Sequence, residues 1–255
     1  MGWYCRSTLL NERYVVSEEP ISLGALAYAC TVYDAMTDFG SSFREFHRRV
    51  HAKPDLDDPD HRRALLKWLN AWGCRHLALE CHENVSTELA TWYAAARGRL
   101  PGTTDRLADM SDGVLDKFAE VFDDLSTLPA REVVRNGSRF LISFGPTAAS
   151  KTLFALRPHA FLAWDAAIRK EFSADGFGAS YVRFLKASRH KASEIAEQCS
   201  RRGLDVEDFP KRLGRDDSTS AQLIGEYYWI TMTRNVKPPD AATLREWLAW
   251  SYPAT

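Results

Sequence analysis

The chain has 255 residues, 45% of them hydrophobic and 26% charged, with a formal net charge of −1. That length and composition suit one large folded domain or two small ones and exclude a low-complexity chain. A charge near zero argues against indiscriminate nucleic-acid binding, and no apolar run approaches the roughly 20 residues that cross a bilayer.

The N-terminus lacks a basic region followed by an apolar stretch, so a cytoplasmic location with no membrane association is expected. The five cysteines, Cys5, Cys30, Cys74, Cys81 and Cys199, are scattered and odd in number, which suits reduced thiols. Cys74, His76, Cys81 and His82 form the one cluster worth testing for metal, but their spacing matches no common zinc pattern, and no metal is expected. Charge is unevenly spread. Asp105 to Asp124 carries a local −5, and Ala179 to Arg215 a local +4, which permits one basic face on a neutral protein.

Helical periodicity dominates, and no run alternates long enough to suggest a sheet. In chain order, the pattern predicts helices over Leu23 to Met36 and Phe43 to His51, then a loop from Lys53 to Asp60 with two prolines and four aspartates. Further helices follow over Asp60 to Trp72, Ser86 to Arg97 and Ser111 to Leu125, the last acidic, and another begins near Ala130 and ends at Asn136 or Gly137. The second half reads as helices over Thr147 to Leu156, Asp165 to Phe172, Ser180 to Arg202, Leu223 to Thr233 and Ala241 to Trp250. On the Ser180 helix, Val182, Leu185, Ala192, Ile195 and Cys199 mark the apolar stripe, with Arg183, Lys186, Arg189 and Lys191 largely off it. There is no internal repeat.

Readable chemistry is concentrated between Ile142 and Arg169. A tight turn at Phe144, Gly145 and Pro146 opens the Thr147 helix, and Asp165 stands where a helix N-cap belongs. A turn between two helices can point backbone N–H groups at an anion; the candidate donors are Phe144, Gly145, Thr147, Ala148 and Ala149.

These residues resemble the helix-hairpin-helix (HhH-GPD) superfamily of DNA glycosylases. Its signature runs Leu-Pro-Gly-Val-Gly-x-Lys-Thr-Ala and ends, after an apolar helix, in Val-Asp-Thr-His-Val with a catalytic Asp. Here Ile142 to Ala149 takes the hairpin and Trp164 to Ile168 the Asp segment. Family members with a catalytic Lys hold it two residues after the second hairpin Gly and eighteen before the Asp; Thr147 stands at that place relative to Gly145 and Asp165. Ser143 replaces the first hairpin Gly, Trp164 the small residue before Asp, and Ala167 the His that often follows.

The resemblance implies an all-α fold of two helical layers, residues 57–163 carrying the helix-hairpin-helix and residues 1–56 with 164–255 forming the second layer, with the active site and DNA groove between them. It implies a monomeric enzyme acting on double-stranded DNA, with the target base flipped out. Asp165 is the expected catalytic residue. Lys151, Lys186 and Arg189 are expected to join the turn in contacting DNA phosphates, and Trp164, Tyr33, Trp68 and Trp72 to line the base pocket. With Thr147 at the lysine position no Schiff base forms there, so base release without strand cleavage is expected, in base-excision repair or in defence against phage with modified DNA. No four-cysteine spacing lies near the C-terminus, so neither an iron–sulfur cluster nor any other cofactor is expected. Two other readings stay open: a non-catalytic DNA-binding protein that keeps the hairpin, and a helical interaction protein in which Gly145 and Asp165 are only turn and cap.

Overall fold

The computed structural model describes residues 20–77 and 82–251. These residues are mainly helical: α1 (Leu23–Met36), α2 (Phe39–Arg49), α3 (Pro59–Ala71), α4 (His82–Ala96), α5 (Asp112–Asp116), α6 (Phe118–Ser126), α7 (Gly145–Leu156), α8 (Ala166–Glu171), α9 (Gly178–Ser200), α10 (Phe209–Arg212), α11 (Ser220–Tyr228) and α12 (Ala241–Ser251). No helix among them is long and apolar enough to cross a membrane. Several begin where side chains satisfy orphan amides. The Ser22 hydroxyl accepts from Ala25 N at α1, and Asp58 accepts from Asp60 N at α3, whose first position is Pro59.

One large core joins α3, α4, α6, α7, α9 and α11, with Leu65, Leu89, Phe122, Leu153, Phe184 and Leu223 all fully buried. α1 packs on α11, α2 on α3, and α6 on both α7 and α9. Cys30, Cys74 and Cys199 are buried free thiols; Cys5 and Cys81 lie outside the described residues. His76 and His82 bond to the carbonyls of Phe144 and Leu77, at 2.9 Å and 3.2 Å.

The segment after α6 overturns the expectation of a helix from Ala130. Pro129–Arg135 is a strand, β1, and pairs antiparallel with β2 (Ser138–Ser143). The two residues between them, Asn136 and Gly137, have φ of +51° and +77°, the double left-handed conformation of a type I′ hairpin turn. Asn-Gly between segments containing Val133, Val134, Phe140 and Ile142 is a hairpin signal, and it outweighs reading the glycine as a helix C-cap. Arg131, Val133 and Ile142 share a half-buried face; Val134 and Leu141, opposite neighbours of Arg139 and Glu132, share an exposed one. The expected helix-hairpin-helix is therefore a strand, a turn and a helix.

Three smaller corrections follow. The acidic stretch from Ser111 is two helices broken at Lys117. The apolar run from Leu223 ends in a π turn over Trp229–Thr233. Lys191 is buried and lies 3.3 Å from Glu194, although periodicity puts it off the apolar stripe.

α9 approaches α6 closely at its first residue. Gly178 N donates to Asp123 Oδ1 at 2.7 Å, and a Cβ at Gly178 would fall inside the Ala119 carbonyl. A backbone atom cannot swing aside as a side chain can, so Gly178→Ala is expected to cost about 2 kcal/mol or more by overpacking. Thermal unfolding checks this; a melting temperature equal to that of the parent would show that α6 and α9 are not so close.

Candidate active-site pocket

The positive φ of Gly145, +82°, lets the chain turn from β2 into α7. Thirteen to twenty residues later the connector returns across α7 and is fastened to it. Trp164 N donates to Ser150 Oγ at 3.2 Å, Ser150 Oγ donates to Thr147 O at 3.0 Å, and Trp164 Nε1 donates to Pro146 O at 3.1 Å. Tyr181 from α9 adds a bond from its hydroxyl to Leu162 O at 2.9 Å. These contacts fix the backbone immediately before Asp165.

Asp165 is half-buried and bonded through both oxygens. Its Oδ1 accepts from Ala167 N and Ile168 N, both at 2.9 Å, which caps α8; its Oδ2 accepts from Thr233 Oγ1 at 2.8 Å. Thr233 closes the π turn that also carries Trp229. Single π turns are often found where a functional side chain has to be re-aimed, and this one brings a hydroxyl to the carboxylate.

Asp165 lies in the wall of a pocket of about 540 Å³, its open mouth included. Tyr33, Phe39, Trp72, Phe154, Trp164 and Trp229 supply the aromatic lining, Lys151, Gln222 and Glu226 the other polar groups. Tyr33 meets Trp229 edge-on at 5.4 Å, and Phe39 meets Trp72 at 5.6 Å and Trp229 at 5.9 Å, so α1, α2, α3 and the π turn converge on the same rings. Lys151 Nζ donates to Trp72 O and sits 5.6 Å from the Trp72 ring centre. Burial pushes the Lys151 amine below the ordinary lysine range, while Cys74 and Asp165 act in the opposite direction. Burial likewise lowers Arg169, opposed by Asp165.

The sequence-derived candidates divide into two groups. Asp165, Trp164, Tyr33, Trp72 and Lys151 come together in the pocket. Trp68 does not: it is 3% exposed and packs among Phe43, Phe46 and Trp72 in the core. Of the turn's amides, Phe144 N is spent on Leu128 O at 2.7 Å, and Ala149 is the first residue whose N–H reaches back within α7; Gly145, Thr147 and Ala148 stand in the first turn. Lys186 pairs with Asp116 at 2.8 Å and Asp112 at 3.4 Å, and Arg189 with Asp112 at 2.6 Å and Met110 O at 2.8 Å. The acidic α5 thus neutralises both, and neither lines the pocket.

Two other cations lie beside the aromatic rings. Arg169 donates to Thr147 Oγ1 at 2.7 Å and lies 5.9 Å from the Trp164 ring centre; exposed Arg234 lies 5.4 Å from the Trp229 ring centre. Sequence reasoning missed Phe39, Gln222, Glu226, Trp229, Thr233, Arg169 and Arg234. One signal was readable: Gln222 and Glu226 stand four apart in an otherwise apolar helix, and polar residues one turn apart on a buried face need a common purpose.

Comparison of the chain with protein-family models, with curated proteins and with solved structures gives no match.

The cap geometry separates two substitutions at Asp165. Asp165→Ala removes the acceptor for both α8 amides and is expected to cost about 1–2 kcal/mol; Asp165→Asn keeps an oxygen there and can donate to Thr233 Oγ1, so it should cost less than half as much. Denaturant unfolding of the two variants measures the difference, and equal losses would mean that the cap is not the stabilising interaction.

Proposed function

We propose that this protein is a monofunctional DNA glycosylase, hydrolysing the bond between a flipped damaged or modified base and its deoxyribose to leave an abasic site. The observation that carries this reading is a half-buried carboxylate, Asp165, in the wall of a pocket lined by aromatic rings. It is supported by the resemblance around Asp165. It no longer rests on a helix-hairpin-helix, since a strand leads into the turn.

The glycosidic bond of a stacked base is out of reach, so a glycosylase receives the base extruded from the duplex. The partly exposed rings of Phe39, Trp72 and Trp229 suit a flat aromatic guest. Bond cleavage develops positive charge on the sugar, and Asp165 either stabilises that charge or activates the attacking water. Its Oδ2 accepts only from Thr233 and has capacity left for that water. Lys151, Arg169 and Arg234 give the pocket region positive charge that favours an anionic backbone. The architecture that goes with this reading is the two-layer one, residues 57–163 against residues 1–56 with 164–255.

Thr147 carries no amine, and Lys151, the lysine of the pocket, is held on the Trp72 carbonyl, so hydrolysis without strand cleavage follows. Base-excision repair and defence against phage carrying modified bases, such as modified cytosines, are both settings for such an enzyme.

The test is incubation with a panel of genomic and phage DNAs, with any released base identified by mass spectrometry. Asp165→Asn should bind DNA at low salt as the parent does and lose base release by at least about 100-fold. DNA binding with no base released by the parent from any substrate would favour a non-catalytic binding protein instead. Borohydride should trap no covalent complex; trapping that Lys151→Ala abolishes would make the enzyme a lyase through Lys151.

A further inference from the structure

Heterolysis of the bond between a sugar and a base creates two charges, positive on the sugar and negative on the base nitrogen that keeps the electron pair. Asp165 answers the first. An anion forming among aromatic rings is poorly hydrated, so the second needs a group of its own.

Charges in the pocket are few. Of the residues that line it, Asp165 and Glu226 are acidic and Lys151 alone is basic. Glu226 is already compensated. The buried Arg215 guanidinium spans both its oxygens, with Nη2 2.6 Å from Oε1 and Nη1 on Oε2, and Gln222 Nε2 donates to Oε1 at 3.0 Å. Asp165, by contrast, is bonded to two amides and a hydroxyl rather than to a cation. The wall thus offers one carboxylate and one ammonium, the pair of opposite charges that a heterolysis calls for.

Lys151 is held in place as a donor. It is half-buried on α7, and its Nζ donates to Trp72 O and stands 5.6 Å from the centre of the Trp72 ring, which itself lines the pocket. Trp72 ends α3, where unpaired carbonyls carry partial negative charge, so this contact favours the charged form. An ammonium has three hydrogens; Trp72 takes one and two remain. Burial lowers the amine and so makes the ammonium a stronger acid, with Cys74 and Asp165 acting in the opposite direction. Those two, with Tyr33 on α1 and Glu226 on α11, are the titratable groups around it.

We infer that Lys151 is a second catalytic residue, whose ammonium donates to the departing base and takes up the charge that forms on it. The sugar–base bond breaks and its electron pair stays on the base nitrogen. One Lys151 proton passes to the base. Water supplies the oxygen that bonds to the sugar and a proton that goes to Asp165, from which solvent returns it to the Lys151 amine. The role rests on the glycosylase reading; it makes Lys151 a proton donor and not a nucleophile.

Holding the end of α3 is a structural role that the same contact could serve, and Lys151→Gln separates the two because it keeps an N–H for the Trp72 carbonyl and removes the charge. On the panel of genomic and phage DNAs, under single-turnover conditions, this variant should bind DNA at low salt within a few-fold of the parent and release base at least about 100-fold more slowly. The parent's rate should fall at alkaline pH as the ammonium loses its proton, and the residual rate of the variant should lack that fall. Lys151→Met serves if the Gln variant fails to fold. Release at the parent's rate by a folded variant, a residual rate that keeps the parent's alkaline fall, or DNA binding lost together with release overturns the proposal and leaves the glycosylase reading standing. A parent that releases no base from any DNA overturns both.

Discussion

The site depends on how Trp164 is held. Its ring is 1% exposed and packs edge-on to Phe122 of α6 at 5.7 Å and to Tyr181 of α9 at 5.0 Å, while its two N–H groups bond to Ser150 and Pro146 of α7. Three helices thus close on one side chain, and burying an aromatic of that size contributes about 2–3 kcal/mol before any hydrogen bond is counted. Asp165 is the next residue. Its position is accordingly set by the core rather than by a loop. From there Oδ1 caps α8 on the Ala167 and Ile168 amides, and Oδ2 takes the Thr233 hydroxyl of the π turn.

Behind the opposite wall, stability and orientation pull apart. A buried Arg215–Glu226 pair costs several kcal/mol of desolvation per ion, and an apolar pair of equal volume commonly serves stability as well or better. What an apolar pair would lack is direction. The fork of Arg215 sets Glu226, and Glu226 sets the Gln222 amide; both residues line the pocket. Low local dielectric makes each of these bonds stronger and any mismatch in the chain more costly, so the wall has a single arrangement rather than several of similar energy.

Much of this was legible in the sequence, and the failures have specific causes. Helices with a 3.6-residue stripe and a capping residue, such as Pro59–Ala71 after Asp58, are found close to where the pattern puts them. The hairpin at 129–143 was not, because Arg131, Glu132, Arg135 and Arg139 blur the alternation, and Asn136-Gly137 is as good a helix end as a type I′ turn until the strands on both sides are considered together. Lys186 and Arg189 read as a basic face because their charge was weighed within the segment from Ala179; the acids that neutralise them, Asp112 and Asp116, lie some 70 residues earlier. Trp68 and Trp72 look alike in sequence, one helical turn apart, yet only the second stands at a helix end where its ring reaches the cavity. Asp165 was legible because a cap is a local property. Thr233, which completes its hydrogen bonding from 68 residues away, has no local signature.

The eighteen-residue interval between Thr147 and Asp165 takes on a physical meaning in the fold. Thr147 Oγ1 receives the Arg169 guanidinium, and Arg169 is one turn beyond Asp165 on α8. The interval therefore spans the two ends of a clasp that joins the start of α7 to α8 and sets Arg169 beside the Trp164 ring. A lysine at 147 would place a second cation against Arg169 where a hydroxyl now accepts from it, at a cost that like charges in a half-buried site cannot avoid. The threonine is thus one end of that clasp, and the lysine of this region is Lys151, one helical turn further along α7. Its amine is tied to the Trp72 carbonyl at the pocket wall, where burial lowers it while Cys74 and Asp165 act in the opposite direction.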